Sequence, residues 1–283
     1  MRGSGSSSSW GCGARSAWWP AFPWTASPGW RWVSRWRRQH RQKGPVPDDW
    51  PDAERRAPAR STPGYAVRAP LAEWLRSEAT RAADDLGRYR ILDVGCGPKP
   101  YLPFFEPHAS EYVGVDVANP AAEVEGTVES LPVPDASFEV VLCTQVLEHA
   151  EDPPRAVAEL RRVVAPGGRV LASTHGVQVY HPNPDDYWRW THVGLRRLFE
   201  DNGDWASVRV TPAGGTAACV AMVVGIYADL ALRKARLGLV GRGTVWMLNT
   251  AAAAVDRRST RLREPGPGTL FANYHVVAEA PRA

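Results

Sequence analysis

Tyr89-Arg90-Ile91-Leu92-Asp93-Val94-Gly95-Cys96-Gly97-Pro98-Lys99-Pro100 decides the fold. A short apolar strand pattern runs without a break into a Gly-x-Gly turn. Glycine has no Cβ, so such a turn lets the backbone come close to a ligand. Downstream, Glu111-Tyr112-Val113-Gly114-Val115-Asp116 is a second strand pattern ending in an acid. It ends about 20 residues after the turn, where a doubly wound α/β sheet holds a carboxylate for ribose hydroxyls. One carboxylate can accept from both vicinal hydroxyls. Upstream, Leu71, Trp74, Leu75, Ala79, Ala82, Ala83 and Leu86 recur at helical spacing over 69–86, and Gly87 stops that helix.

The alternation continues toward the C-terminus. A weak third strand is expected over 122–127 and a strong fourth over Ser137–Cys143. A helix follows over Pro153–Val164, with Asp152 as N-cap, two prolines in its first turn, and Val157, Leu160 and Val164 as its apolar stripe. Pro166-Gly167-Gly168 is expected to end it and turn into a strand over Arg169–Ser173. Alternating strands and helices imply a mostly parallel sheet covered on both faces. Strands six and seven are placed at Ala206–Thr211 and Thr269–Glu279, with 57 residues (212–268) between them. Ala213–Leu232 is nearly all apolar with one acid, Asp229. Leu237–Val255 is similar, interrupted by Arg242 and Asn249, and Arg233, Lys234 and Arg236 divide the two. This reads as a helical hairpin inserted over about 213–260.

The net charge of +4 over 283 residues is unevenly spread. Residues 1–62 hold 11 Lys/Arg against 4 Asp/Glu, a net of +7, and the remainder is 23 against 26, a net of −3. The body of the chain therefore gives no electrostatic reason to expect nucleic acid. Residues 1–62 carry eight tryptophans, seven of them between Trp10 and Trp36 without a regular period, repeated prolines, and the basic run Arg35–Lys43. They are read as a disordered basic leader, with a membrane-surface arm as the rival. Cys12, Cys96, Cys143 and Cys219 match no zinc pattern. Small, buried, reduced thiols fit a cytoplasmic protein better than a disulfide framework.

The run ILDVGCGPKP resembles the first S-adenosylmethionine (SAM) motif of class I methyltransferases, and VGVD resembles their ribose-binding strand end. ESLPVPDASFEVVLCTQVLEHAEDPPRAVAELRRVVAPGGRVLAST follows the pattern of the type 11 methyltransferase group from the third strand through the fifth, and the resemblance is good from Ile91 to about Gly203. A nicotinamide dehydrogenase needs a third glycine as the helix opens, whereas Pro98, Lys99 and Pro100 follow here. The resemblance implies a Rossmann-like seven-stranded, mostly parallel sheet in a domain over 63–283, with the helical insertion before the last strand. It implies SAM as cofactor. Asp93, Gly95 and Gly97 would line the methionine part and Asp116 would bind the ribose, with Cys96 and Val117 beside them. Where relatives carry an adenine-binding Asp, this chain has Thr127, so its hydroxyl or a backbone group near Val128 must serve. Lys99 takes the third glycine position and either touches the SAM carboxylate or points to solvent; solvent is the expectation.

Ligands of open α/β sheets sit beyond the carboxyl ends of the strands. Gln145, Glu148 and His149 after strand four, and Thr174 and His175 after strand five, are therefore expected beside the sulfonium. His175 is read as lying on an exposed loop. The segment His181-Pro182-Asn183-Pro184-Asp185-Asp186-Tyr187-Trp188-Arg189-Trp190-Thr191 resembles a stretch in methyltransferases of polysaccharide and glycan pathways. It is read as an acceptor pocket with Asp186, Tyr187 and Arg189 as binding groups; the competing reading is a packed loop in which Arg189 pairs with Asp186. His175, His149 and His181 are the candidate bases for a hydroxyl acceptor. No recognisable metal-binding spacing is present. The expected reaction is methyl transfer from SAM to a small-molecule or glycan-type acceptor, at oxygen. The alternatives are a quinone or lipid-linked acceptor at a membrane surface, with peripheral contact through 213–260, and a SAM-binding protein without turnover.

Overall fold

The computed structural model describes residues 50–182 and 184–283. A short turn of helix, α1 (Ala53–Arg56), precedes α2 (Tyr65–Leu86), β1 (Tyr89–Val94), α3 (Leu102–Phe105), β2 (Ala109–Asp116), β3 (Val124–Glu125) and β4 (Phe138–Thr144). Next come a 3₁₀ turn at Leu147–His149, α4 (Pro153–Val163), β5 (Val164–His175), α5 (His192–Asp201) and β6 (Ser207–Ala213). The hairpin is α6 (Thr216–Lys234) and α7 (Gly238–Arg258), and β7 (Asn273–Glu279) closes the sheet.

The seven strands lie in the order β3-β2-β1-β4-β5-β7-β6. All neighbours from β3 to β5 are parallel, and β7 runs antiparallel between β5 and β6. The order reverses between β1 and β4, so a crevice opens beyond their carboxyl ends. β1 and β4 are almost wholly buried, as strands covered on both faces must be. One face packs Leu92, Val141 and Val170 against Leu160 and Leu195; the other packs Ile91, Leu142 and Leu171 against Leu71, Leu75 and Ala79 of α2. A third cluster, with Ala66, Val67, Cys219 and Met222, seats α6 on α2. Cys96, Cys143 and Cys219 are buried free thiols.

Local signals read from the sequence operate as physics requires. The Asp152 side chain accepts from Arg155 N at 3.1 Å and caps α4, whose stripe of Ala156, Val157, Leu160 and Val163 is buried. Two readings need correction. Pro166-Gly167-Gly168 does not precede strand five but lies inside β5. Phe138 pairs Val164 while Val140 pairs Arg169, so the segment between bulges out of the ladder. A Cβ on Gly168 would stand 2.5 Å from Glu139 O, which is why glycine occupies the crossing. The second correction concerns the leader. Residues 50–62 are held on the domain: Trp50 Nε1 donates to Lys99 O at 2.8 Å, Arg56 to Pro100 O at 2.8 Å, and Asn249 Nδ2 to Arg60 O at 2.7 Å. The expectation for residues 1–49 lies outside the described residues.

Candidate functional site

A cleft of about 960 Å³ opens beyond the carboxyl ends of β1, β2, β4 and β5. Asp93, Gly95, Cys96, Gly97, Asp116, Val117, Thr127, Val128 and Gln145 all line it, as do Glu148, His149, His175 and His181. Every residue read as cofactor-binding and every candidate base thus meets in one cavity.

The glycine turn is locally enforced. Gly95 and Gly97 have φ of 66° and 50°, a region that L side chains rarely adopt. A Cβ on Gly95 would also overlap the Val146 side chain. Asp116 leans back onto this turn: one carboxylate oxygen accepts from Gly97 N at 2.7 Å and the other from Val117 N at 2.7 Å. Asn119 Nδ2 donates to it at 3.1 Å. Across the cleft, Gln145 has φ of 57°, strained for a side-chain-bearing residue. Its amide donates to Ser173 Oγ at 2.9 Å, which ties the ends of β4 and β5 together.

Asp93 is buried, and Tyr112 Oη donates to it at 2.6 Å. Burial outweighs that hydrogen bond and pushes its carboxyl up to about 7. Lys99 corrects the sequence reading. It neither faces solvent nor lines the cleft but is buried against Glu123, which also accepts from Gly114 N. The pairing is what permits a lysine there.

At the other end, three imidazoles gather around Glu148. The His149 and His181 rings stand edge to face at 5.1 Å, and His175 and His181 at 5.3 Å. Glu148 is fully buried; its Oε2 accepts from Thr174 Oγ1 at 2.7 Å, and burial raises its carboxyl to about 7. His175 is not on an exposed loop. It ends β5, is buried, and lies 3.2 Å from Glu148 Oε1 through Nε2. Burial, reinforced by the charges of His181 and Arg189, drives its imidazole down to about 3. His149 Nδ1 lies 2.8 Å from Asp185 O, a pure acceptor, so Nδ1 carries the proton and Nε2 is left as acceptor. His181 Nδ1 stands 3.2 Å from the Asp186 carboxylate and 3.3 Å from Val179 O, which fixes the same tautomer. Glu148, His149 and His181 each offer a ligand atom, all within 4.8 Å of one another. The fold thus assembles a group that could hold a divalent cation, although the sequence spacing shows no metal pattern.

The His181–Thr191 segment is organised from within. Asp186 has a fully buried carboxylate that receives two hydrogen bonds from Arg189 at 2.5 Å and one from His181 N at 3.1 Å. The Arg189 pairing holds that carboxyl well below the usual range. Glu148 O accepts from Tyr187 N and Trp188 N, His175 O accepts from Trp190 N, and Trp188 Nε1 donates to Ala150 O at 2.7 Å. Trp188 stacks on Trp190, which packs against the core. None of Asp186, Tyr187 and Arg189 lines the cleft, and the Arg189–Asp186 pair is the one the packed-loop reading expects. Arg55 and Tyr101 do line it, and Arg55 lies in the segment read as leader. No periodic signal among the surrounding prolines could have identified it.

Residues 92–172 match the type 11 methyltransferase domain family. The uncharacterized methyltransferase YcgJ of Bacillus subtilis is 32% identical over 111 residues, covering 34% of this chain and 44% of that protein. A ubiquinone biosynthesis O-methyltransferase of Alkalilimnicola ehrlichii is 34% identical over 114 residues, covering 35% of this chain and 44% of its own length. The chain thus spans less than half the length of these curated relatives. The crystal structure of the Bacillus YcgJ protein aligns with 75% of this chain and 99% of its own, at 20% identity and a TM-score of 0.44.

Proposed function

We propose, from a chain whose residues 92–172 match a methyltransferase domain family, that the protein transfers a methyl group from SAM to an oxygen of a small-molecule or glycan-type acceptor. The observation that carries this reading is the polarity of this cleft. A glycine turn with the Asp116 carboxylate occupies one end, and three imidazoles around Glu148 occupy the other.

The cleft fits SAM on its own geometry. Gly95 admits no Cβ, and Asp116 is fixed by Gly97 N and Val117 N with its oxygens at the cleft wall. The buried Asp93 gives the amino-acid end an anionic floor once it ionises. When bound, SAM supplies a methyl group already activated on a sulfonium. The chain's part is to align the acceptor, exclude water and take a proton from the attacking hydroxyl.

For that proton the geometry favours His181 over His175. An imidazole driven down to about 3 is a weak base at neutral pH. The Asp186 carboxylate, kept ionised by Arg189, stands 3.2 Å from His181 Nδ1 and orients the ring. His149, anchored on Asp185 O, is the second candidate. Asp186 and Arg189 then act as positioning residues behind His181. His181→Ala should lower turnover with an acceptor identified from a hydroxyl-compound panel by about 10²–10⁴-fold, with SAM affinity nearly intact. His175→Ala should cost much less. The reverse ranking would return the role to His175. Loss of turnover in EDTA would instead transfer it to a cation held by Glu148, His149 and His181.

A further inference from the structure

We propose that the α6–α7 hairpin is a docking surface for an anionic lipid bilayer, an inference independent of the methyl acceptor. The outer face of α6 is apolar where a water-facing helix would be polar. Val220, Val224, Tyr227 and Leu230 recur at helical spacing along it, and Tyr227 and Leu230 are 60% and 63% exposed. On α7, Leu239 is 83% and Met247 61% exposed, with Val240, Trp246 and Val255 also largely uncovered. So large an uncovered apolar surface requires a partner.

The charge around it identifies the partner. From Thr216 to Arg263 the chain has two acids, and both are buried. Asp229 pairs with Arg233, and Asp256 accepts from Ala217 N and Ala218 N at the start of α6. Lys234 and Arg236 sit at the hairpin tip, Arg242 early in α7, and Arg257, Arg258, Arg261 and Arg263 at its far end, all exposed. Apolar side chains flanked at both ends by long cationic ones match an anionic bilayer surface, with the stems reaching the headgroups. A symmetric pairing of two copies through this face would bring like charges together.

The helices lie on the surface rather than cross it. Thr216–Lys234 is long and apolar enough to span a bilayer, but its inner side is committed to the domain. Cys219 and Met222 pack on Ala66 and Val67, and Gly215 fits against Asp256 where a Cβ would overlap it. Gln178 Nε2 lies 4.0 Å from Met222 Sδ, so the hairpin adjoins the segment that leads into His181.

The test is flotation of the full chain with phosphatidylcholine vesicles, with and without about 30 mol% phosphatidylglycerol. The basic leader is the rival source of binding, so the deciding variant leaves it untouched: Leu230→Ser, Leu239→Ser, Trp246→Ser and Met247→Ser combined. These four side chains are exposed, and an unchanged melting temperature verifies the fold. The proposal expects binding to the anionic vesicles, at least tenfold weaker binding to pure phosphatidylcholine, and at least tenfold loss in the fourfold variant. Arg236→Glu with Arg242→Glu should reduce anionic binding in the same direction. No vesicle binding, undiminished binding by the fourfold variant, or a dimer in sedimentation equilibrium that this variant abolishes would overturn it.

Discussion

Asp93 lies at the cleft floor, facing Tyr112, Lys99, Asp116 and Glu123, with a carboxyl raised to about 7 by burial. A carboxyl whose folded value exceeds its unfolded one gives its full stability below the unfolded value and loses it as pH rises through the folded value. Glu148, also raised to about 7, acts in the same direction and the same window. Two imidazoles held down to about 3 by burial, His175 and His275, act the other way over nearly the same range. The comparison that isolates Asp93 is therefore with Asp93→Asn, whose amide oxygen still accepts from Tyr112: the wild-type melting temperature without ligand should fall relative to the variant's as pH rises from about 4 to 7. An Asp93→Asn protein with the wild-type pH slope would show that Asp93 is not the titrating group. At this scale the sequence was legible where a residue's role is set by its own backbone. The glycine turn and Asp116 follow from strand-end geometry. Lys99 and His175 were misread because their surroundings are built by distant chain: Glu123 covers the lysine, and Glu148 with the His181–Thr191 loop buries the histidine.

Among the elements, helix boundaries and strands β1, β2 and β4 lie within a few residues of their periodic patterns, because buried parallel strands and amphipathic helices write their environment into local sequence. The Pro-Gly-Gly segment did not, since a bulge is a property of two strands in register. The hairpin's existence was legible, but not its fastening. Asp256, near the end of α7, caps the first turn of α6 from 38 and 39 residues away. Asp256→Ala should cost about 1–2 kcal/mol, the range for loss of an N-terminal cap, read as a lower denaturant midpoint. Asp256→Asn, which keeps one acceptor oxygen, should cost less. An unchanged midpoint in Asp256→Ala would mean the α6 amides find another partner without loss.

Over the whole molecule, the strand order places one reversal between β1 and β4, and the cleft lies there. Residues 50–62 belong to the folded body, and Arg55 brings them to the cleft wall. Composition could not reveal this, because a proline-rich basic stretch held by single side-chain-to-carbonyl bonds carries no period. The central claim is that this cleft binds SAM through the glycine turn and Asp116. Calorimetric titration of SAM into the wild-type chain and Asp116→Ala tests it most directly. The account predicts binding by the wild type and a loss of about 1.5–3 kcal/mol in the variant, roughly 10- to 150-fold, as for hydrogen bonds to a charged group. A folded Asp116→Ala protein with wild-type affinity, or a wild type that takes up no SAM, would contradict it.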